Sequence, residues 1–329
     1  MEPIYVLGTG SFVPEQVLTN TDLEKKIDTT GEWIFKRTGI RERRIAAPDQ
    51  AASDLALPAC RAALDTAGLT PQDIELIIMA TITPDMACPA GANWLQAKLD
   101  APQALTFDIA AACSGFIFAL LTAQQYLVAG FCQNALVVAS EVMSRTVNWE
   151  DVSSSILWGD GAGAAVLSLD NDQGHRLLST HAHTDGANGQ NLLLPGAGSR
   201  TTPVSHESVN QHLHSLRMID ANSTLRVAVK YFAESCYEAV KANGVSIEDV
   251  NWFIPHQANQ RIIQALAKRL NVAMDHFYLT IGKYGNSSSA SLAIAFDEAV
   301  RTGAVKKNDL VCLTSFGGGL TWASSLIKW

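Results

Sequence analysis

The stretch "AGLTPQDIELIIMAT" (Ala67 to Thr81) decides the fold, because a second version of it, "NGVSIEDVNWFIPHQ" (Asn243 to Gln257), lies in the other half of the chain. Gly68 aligns with Gly244, and an acidic residue followed by an apolar run comes after each glycine. Self-similarity at a fixed offset limits the possible folds more strongly than a local motif does. The sequence therefore predicts a duplicated unit, with one copy in each half.

A second matching pair lies downstream at nearly the same offset. "NALVVAS" (Asn134 to Ser140) resembles "DLVCLTS" (Asp309 to Ser315), and both are short apolar runs typical of buried strands. A helical apolar pattern precedes the first pair in both halves, and each helical pattern ends at a glycine. Each half is therefore predicted to run helix, strand, turn, helix, strand.

The strand patterns are apolar throughout, as expected for strands that helices cover on both faces. The segment "SGFIFALLTAQQYLVAG" (Ser114 to Gly130) is apolar on nearly all sides, which predicts a helix buried between two sheets. We therefore predict an α/β fold in which the duplicated halves form a layered αβαβα architecture. The halves are residues 1–172 and 173–329. The polar region 170–215 is expected to be loop, apart from a strand near residues 177–183.

Composition excludes several classes of function. The 329 residues are 47% hydrophobic and 17% charged, with a formal net charge of -8, so the chain can bury a large core but has no overall attraction for nucleic acid or an anionic membrane. The six cysteines have no C-x-x-C spacing, which favours free thiols and a cytoplasmic location. The N-terminus has no basic and apolar signal region, and no apolar run approaches the ~18 residues of a transmembrane helix.

Three polar side chains follow strands of the duplicated unit and precede helices. Cys113 lies in "FDIAAACSGF" before the buried helix, so its sulfur is expected near a helix N-terminus, where a thiolate nucleophile is favoured. His256 follows the strand of the second copy, and Asn286 lies in a glycine-containing turn. Considered one at a time, each residue also has a purely structural interpretation. Cys113 could be an inert core cysteine, His256 a structural histidine and Asn286 a helix N-cap. Their equivalent positions favour a shared site, because ligand-binding groups gather at such strand ends.

Three glycines in "SFGGGLTWASSLI" (Ser315 to Ile327) would let backbone N–H groups approach a ligand, as an oxyanion site requires; a flexible hairpin turn is the alternative. "GDGAGAAVL" (Gly159 to Leu167) superficially resembles a dinucleotide loop, but a strand pattern follows it, and we reject that interpretation. No Cys, Asp or Glu set with metal spacing accompanies the two His-x-His pairs, so no metal site is predicted. The pairs are His181/His183 and His212/His214.

Several segments resemble those of the β-ketoacyl-acyl carrier protein synthase III family, which belongs to the thiolase superfamily. They are "DIAAACSGF", "PHQAN", "GNSSSAS", "FGGGLTW", "EWIFKRTGIRERRIAAP" and "GDGAGAAVL". The resemblance covers essentially the whole chain and implies a thiolase-like fold, no cofactor, and acyl-coenzyme A as a substrate. Elongating synthases carry a second histidine where this chain has Asn286, and thiolases use a second cysteine, so the order Cys, His, Asn selects the initiating type.

The resemblance implies a condensation in two stages. Cys113 would attack the thioester of an acyl-coenzyme A primer, release coenzyme A and form an acyl-enzyme. Malonyl-acyl carrier protein would then lose carbon dioxide, while His256 and Asn286 donate hydrogen bonds to the thioester oxygen of the enolate. The carbanion would attack the acyl-cysteine to give a β-ketoacyl-acyl carrier protein. The backbone N–H groups of Cys113 and Gly318 would form the oxyanion hole, with Phe316 beside the nucleophile.

The same resemblance assigns the binding residues. The coenzyme A contacts would be Trp33, Arg37, Thr38, Asn259 and Arg261. The basic patch for the acidic carrier protein would be Arg226, Arg261, Lys268 and Arg269, although such charges are also typical of a solvated helix face. Val152 stands where an arginine is common in the family, and Ala221 where a glycine is common. One adenine contact and the pantetheine wall are therefore expected to differ.

Primer length depends on the acyl pocket, which is expected to include Cys88 and Phe316. Acetyl-selective members place a bulky phenylalanine where this chain has Cys88, in "DMACPAGA". The smaller side chain predicts that medium-chain groups such as octanoyl are accepted as well as, or better than, acetyl. This segment lies at the dimer interface in the family, so a homodimer is expected.

Other classes of function fit less well. A papain-like cysteine peptidase also has Cys, His and Asn in this order, but its flanking cysteine signature is absent and the duplication has no place there. A non-catalytic binding module would not need the cysteine, histidine, asparagine and glycine loop together. A relative that acylates or condenses another acceptor in secondary metabolism, such as a quinolone or polyketide starter enzyme, stays open because of Val152 and Ala221.

Overall fold

The computed structural model describes residues 3–169, 174–196, 198–200, 204–219 and 221–329, with the side chains of 221–225 left out. The predicted boundary between the halves, at residue 172, lies outside the described residues. The strands are β1 (Ile4–Phe12), β2 (Gln16–Thr19), β3 (Glu42–Ile45), β4 (Leu76–Ala80), β5 (Leu105–Ile109), β6 (Asn134–Val142), β7 (Asp160–Ser168), β8 (His175–Thr184), β9 (Leu192–Leu193), β10 (Arg217–Met218), β11 (Trp252–Pro255), β12 (Leu310–Gly317) and β13 (Thr321–Lys328).

The α-helices alternate with these strands, and short 3-10 turns precede several elements. The helices are α1 (Asn20–Glu24), α2 (Gly31–Thr38), α3 (Ala52–Ala67), α4 (Gly91–Leu99), α5 (Gly115–Val128), α6 (Val152–Ser155), α7 (His206–Asn210), α8 (Ala221–Ala242), α9 (Gln260–Leu270), α10 (Ile281–Tyr284) and α11 (Ser289–Arg301). The 3-10 turns used below are Pro71–Asp73, Ala112–Ser114 and Ile247–Asp249.

The repeat predicted from the sequence is present in the structure. In the first half α3 leads through the turn Pro71–Asp73 into β4, and in the second half α8 leads through Ile247–Asp249 into β11. Gly68 and Gly244 follow the two helices at equivalent positions, with φ angles of 68° and 65°. This left-handed conformation is the helix-terminating geometry that glycine adopts at least cost. The strand predicted near residues 177–183 is β8.

Nine of the described strands form one hydrogen-bonded sheet, in the order β11-β12-β13-β8-β1-β7-β6-β4-β5. The first-half strands lie on one side of this order and the second-half strands on the other. The pattern of pairing repeats: β4 pairs parallel with β6 and β11 with β12, and the next two pairings are antiparallel in both halves. The two sheets that we expected to be separate are continuous where Ile4 to Val6 of β1 pair with His175 to Leu177 of β8.

Helices α5 and α11 lie between the two halves of the sheet, since both contact strands of the first half and strands of the second. Helix α3 packs on the outer face of the first half, and α8 on the outer face of the second. The layered αβαβα architecture is therefore confirmed. The 14-residue α5 is apolar because sheets surround it, and no helix in the described ranges is both long and apolar enough to cross a membrane.

Close packing of α11 on β7 generates a test of this arrangement. A Cβ at Gly163 of β7 would lie 2.6 Å from the carbonyl carbon of Ala293 in α11, so Gly163→Ala must push the helix away from the sheet. We expect a loss of about 1–3 kcal/mol in the free energy of unfolding, measured by chemical denaturation. Gly186→Ala is the control, because nothing lies within 4 Å of a Cβ there. Equal stability of the two variants would contradict the packing.

Candidate active site

Cys113 lies in the 3-10 turn between β5 and α5, as the sequence predicts. The turn begins at Ala112, whose φ of 45° is unusual for a residue with a side chain. Cys113 itself is only 5% exposed. Its position just before Gly115 places the sulfur near the first turn of the buried helix.

The acidity of the Cys113 thiol differs from the prediction. Burial raises the pKa of this thiol to about 12; the Ser288 side chain opposes the rise and the charge of Glu141 adds to it. The expected thiolate at the helix N-terminus is therefore wrong for the free protein, because removing a charged sulfur from water outweighs the field of the helix end. At neutral pH the resting group is a thiol.

His256 follows β11 and is held from two sides. Its backbone N–H donates to the Thr314 carbonyl of the neighbouring strand, at 2.8 Å. Its Nδ1 lies 2.6 Å from Ser291 Oγ, which is 3.0 Å from the Ser288 carbonyl and accepts a hydrogen bond from the Gln257 N–H at 3.1 Å. Burial lowers the pKa of His256 to about 3, although the Ser288 backbone opposes this shift, so the ring is neutral at pH 7.

Asn286 is held by backbone pairing with the segment before β7. Its N–H donates to the Leu157 carbonyl at 2.9 Å, and its carbonyl accepts from the Gly159 N–H at 3.0 Å. The side-chain Oδ1 accepts from the Ser288 N–H at 2.9 Å. Because Oδ1 is occupied, the amide Nδ2 is the group of Asn286 left to donate to a ligand.

The glycine loop at the end of β12 packs directly against the turn that carries Cys113. A Cβ on Gly317 would lie 2.7 Å from the backbone nitrogen of Cys113, so only glycine fits there. Thr321 Oγ1 donates to the Ala111 carbonyl at 3.0 Å and ties the far end of the loop to the same turn. The loop is thus the hairpin turn between β12 and β13, and its packing against the Cys113 turn makes it a wall of the site.

Two cavities meet at Cys113. The first, about 720 Å³, extends from Cys113 past Phe107 to the loop that carries Met86 and Cys88. The second, about 450 Å³, contains both His256 and Asn286. The residues that line both cavities are Cys113, Trp158, Leu192 and Gly318. A ligand that spans both cavities would therefore pass the sulfur at its midpoint.

Some of the predicted binding residues line these cavities, and others lie on the surface. Trp33 is 43% exposed on α2, and the Arg37 guanidinium lies 5.3 Å from its ring centroid. Cys88 lines the first cavity. The predicted residues that line the second cavity are Arg37, Thr38, Asn259 and Arg261.

Phe316 and Cys88, which were both predicted for the acyl pocket, line different cavities. Phe316 lines the second cavity, which also contains His256, whereas Cys88 lines the first. Its ring packs toward Tyr231 and Phe232 of α8, with centroid distances of 6.3 and 6.2 Å. The alternation of side chains along β12 turns it to this face.

The two departures from the family pattern have different outcomes. Val152 begins α6 and packs against the apolar cluster that contains Ile34 and Ile156, so it belongs to the structural core. Its neighbour Ser153 lines the second cavity instead. Ala221 begins α8, and its side chain is outside the described residues.

The residues of the predicted basic patch are exposed on two helices that pack together. Arg226 belongs to α8, and Arg261, Lys268 and Arg269 belong to α9. Within the part of the chain that the structure describes, none of the four forms an ion pair with a carboxylate. Their charges are therefore available to an acidic ligand.

The His-x-His pairs are engaged outside the cavities. His183 Nε2 lies 2.6 Å from Glu238 Oε2, and His181 Nδ1 lies 3.5 Å from the other oxygen of this carboxylate. The rings of His212 and His214 are tilted, with centroids 6.0 Å apart. In the described ranges no three His, Cys, Asp or Glu side chains are grouped to hold a metal ion.

Sequence reasoning missed a buried carboxylate next to the nucleophile. Glu141 Oε2 accepts from the hydroxyls of Thr81 and Thr83 and from the Ile82 N–H, and Oε1 accepts from the Ser289 hydroxyl. These donors oppose the rise in the pKa of Glu141 that burial causes. A glutamate directly after the apolar run "ALVVAS" was the available signal. Through these hydrogen bonds, Glu141 links the start of α11 to the loop that lines the first cavity.

Comparisons with known proteins all point to one family, and the similarity to its members covers nearly the full length of this chain. The 3-oxoacyl-(acyl-carrier-protein) synthase III family model matches residues 107–186, and the model of its C-terminal part matches residues 240–329. A β-ketoacyl-(acyl-carrier-protein) synthase III of Caldanaerobacter subterraneus subsp. tengcongensis is 48% identical over 324 residues, 98% of this chain and 97% of the relative.

Two solved structures share the fold and much of the sequence. The 3-oxoacyl-(acyl-carrier-protein) synthase III from Aquifex aeolicus superposes with a TM-score of 0.91 at 41% identity, covering 99% of this chain and 100% of that one. The priming β-ketosynthase of a polyketide biosynthetic pathway superposes with a TM-score of 0.90 at 36% identity, covering 99% and 96%.

Duplicated halves that bring a cysteine from one half to a histidine and an asparagine from the other place the chain among the thiolase-fold condensing enzymes. This is a class of acyltransferases. Within it, the chain belongs to the 3-oxoacyl-(acyl-carrier-protein) synthase III family, as its motifs suggested.

The pKa of Cys113 predicts how the free protein reacts with an alkylating reagent. The thiolate is the reactive form, so alkylation by iodoacetamide should rise about tenfold per pH unit between about pH 7 and 9. The measurement is peptide mass spectrometry at Cys113, with the exposed Cys88 as an internal control for the reagent. A rate at Cys113 that is already constant near pH 7 would show that its pKa is low.

Proposed function

We propose that the chain condenses an acyl-coenzyme A primer with malonyl-acyl carrier protein through an acyl-cysteine at Cys113, as the initiating step of fatty acid biosynthesis. The observation that carries this proposal is the junction of the two cavities at the Cys113 sulfur. An acyl group in the first cavity and a pantetheine arm in the second would place their thioester at the junction. The pantetheine of the carrier protein would occupy the second cavity after coenzyme A leaves.

In the first stage the Cys113 sulfur attacks the thioester carbonyl, the carbon–sulfur bond to coenzyme A breaks, and the thiol proton ends on the departing coenzyme A sulfur. The oxyanion would accept hydrogen bonds from the backbone N–H groups of Cys113 and Gly318. Support for this comes from the glycine loop, which packs against the nucleophile turn. The low polarity that raises the thiol pKa also strengthens these hydrogen bonds.

In the second stage the malonyl group loses carbon dioxide, and the electron pair of the broken bond forms an enolate. Asn286 Nδ2 and His256 Nε2 would donate hydrogen bonds to its oxygen. This role suits a neutral histidine protonated on Nε2, with the Ser291 hydroxyl donating to Nδ1. In this state the single proton of the Ser291 hydroxyl would turn from the Ser288 carbonyl, 3.0 Å away, to Nδ1. The enolate carbon then attacks the acyl-cysteine carbonyl, the carbon–sulfur bond to Cys113 breaks, and the released thiolate takes up a proton from water to restore the thiol.

The first cavity supports a medium-chain primer. Its volume of about 720 Å³ falls in the range that encloses ligands far larger than an acetyl group. Met86, Ala87, Cys88 and Ala90 lie along its far end, and none of these side chains fills the space as a phenylalanine would. Octanoyl-coenzyme A is therefore proposed as a substrate at least as good as acetyl-coenzyme A.

Mass spectrometry of Cys113 after incubation with a panel of acyl-coenzyme A donors tests the primer. We expect one acyl group per chain, with a larger kcat/KM for octanoyl than for acetyl donors, and no acylation of Cys113→Ala. Cys88→Phe should lower kcat/KM for octanoyl by at least about tenfold and leave the acetyl reaction close to wild type. A strong acetyl preference in the wild-type protein would refute the medium-chain proposal and leave the acyl-cysteine standing.

A second copy of the chain is proposed to pack on the outer edge of β5. This strand ends the sheet order, and its free edge carries unpaired backbone groups that proteins seldom leave exposed. Exposed apolar side chains lie on β5 itself and on two elements next to it: Leu105 of β5, Trp94 of α4 and Phe131 after α5. The first cavity is lined by β5 residues, so the homodimer would close it.

The exposed cations of α8 and α9 are proposed to bind the acidic carrier protein. Exchanging Lys268 and Arg269 for glutamate should raise KM for malonyl-carrier protein and weaken its salt dependence, because long-range attraction between the partners is lost. Acylation of Cys113 by acyl-coenzyme A should stay at the wild-type rate, since both residues lie outside the cavities. An unchanged KM would exclude this face.

The second candidate function is a starter condensation in secondary metabolism. The observation that favours it is the 36% identity to a priming β-ketosynthase of a polyketide pathway. Comparing kcat/KM for carrier proteins of fatty acid and polyketide systems from the same source distinguishes the two functions.

A further inference from the structure

Gln257, the residue after His256, is buried with 0% exposure and uses every hydrogen-bonding group of its side chain. Its Nε2 donates to the carbonyls of Pro255, at 2.7 Å, and Tyr278, at 3.2 Å. Its Oε1 accepts from the backbone N–H groups of Thr280, at 2.9 Å, and Ile281, at 3.1 Å. One carboxamide therefore satisfies two buried donors and two buried acceptors.

These contacts join the two segments that carry the enolate-binding candidates. Pro255 ends β11 and precedes His256, whereas Thr280 and Ile281 begin the short helix α10, which leads through Gly285 to Asn286. The two N–H groups are first-turn donors of α10 that no residue of that helix can satisfy. The Gln257 side chain therefore links the two segments at the end nearest His256, beyond the backbone pairing of Phe253 with Phe277 and Tyr278.

The backbone of Gln257 adds a second link to the same machinery. Its N–H donates to Ser291 Oγ, the hydroxyl that lies 2.6 Å from His256 Nδ1. A shift of Gln257 would therefore move both the segment that leads to Asn286 and the hydroxyl that orients the histidine ring. Only a carboxamide of this length offers two donors and an acceptor of two bonds at this place.

We propose that Gln257 is a positioning residue for decarboxylation, which holds His256 Nε2 and Asn286 Nδ2 at the separation that the enolate oxygen requires. The inference rests on the proposed function, because it assumes that these two groups bind the enolate. Gln257 does not reach the acylation machinery: the Cys113 turn and the Gly318 loop are tied to each other through Thr321. Loss of Gln257 should therefore separate the two stages of the reaction.

The test uses Gln257→Glu, which keeps the size and both acceptor contacts but loses the donors, and Gln257→Met, which keeps the size alone. Two rates are measured on each sample: acylation of Cys113 by octanoyl-coenzyme A and release of carbon dioxide from malonyl-acyl carrier protein. We expect decarboxylation to fall on the order of 10²-fold, as for a misplacement of about 1 Å, with acylation close to wild type. Both rates are proportional to the amount of folded protein, so their ratio does not depend on it. A variant that folds poorly can therefore still be compared with the wild type.

Asn251→Ala is the matched control. Asn251 precedes β11 at the end away from the site, and its Oδ1 accepts from the Leu310 N–H at 2.7 Å, so this variant removes an amide from the same strand without touching the cavities. The Asn251→Ala variant should leave the ratio of the two rates unchanged.

An unchanged ratio in both Gln257 variants, with decarboxylation lost in His256→Ala, would overturn the positioning role alone. Wild-type decarboxylation in His256→Ala would overturn the proposed function and this inference together.

Discussion

Helices α5 and α11 meet at their first residues, and the site depends on this contact. A Cβ on Gly115, which begins α5, would lie 3.3 Å from the Cβ of Ser289, which begins α11. Cys113 comes shortly before the first helix and Asn286 shortly before the second, so the contact brings them together. Both helices are buried between the halves of the sheet, which holds the contact in place. Duplication of one α/β unit thus produces a single interior site from two equivalent helix starts.

Burial at this point determines the protonation of the reacting groups. The Cys113 thiol and the His256 imidazole are both uncharged at neutral pH, because neither can ionise cheaply away from water. Burial also raises the pKa of Glu141, and the hydroxyl and N–H donors around its carboxyl group oppose this rise. In the proposed reaction, fixed hydrogen-bond donors would face the charge that develops on the substrate, an arrangement that stabilises a transition state effectively.

Most of the fold could be predicted from the sequence, whereas several features of the site could not. The repeat, the buried strands and the all-apolar α5 reflect burial patterns that a sequence displays directly. The raised pKa of Cys113 depends on how completely the fold excludes water, and the turning of Phe316 depends on the face that β12 presents. Gln257 lay inside a motif already noted, but its four partners come from segments whose approach only the folded chain shows.

We propose that the Cys113 sulfur both accepts the acyl group and holds it while the new carbon–carbon bond forms. Measuring the stoichiometry of products tests it most directly, with purified wild-type protein, octanoyl-coenzyme A and malonyl-acyl carrier protein. We expect equal amounts of free coenzyme A, carbon dioxide and a β-ketoacyl-carrier protein that contains the primer plus two carbons. Transfer of the octanoyl group to the acceptor without release of carbon dioxide would contradict it.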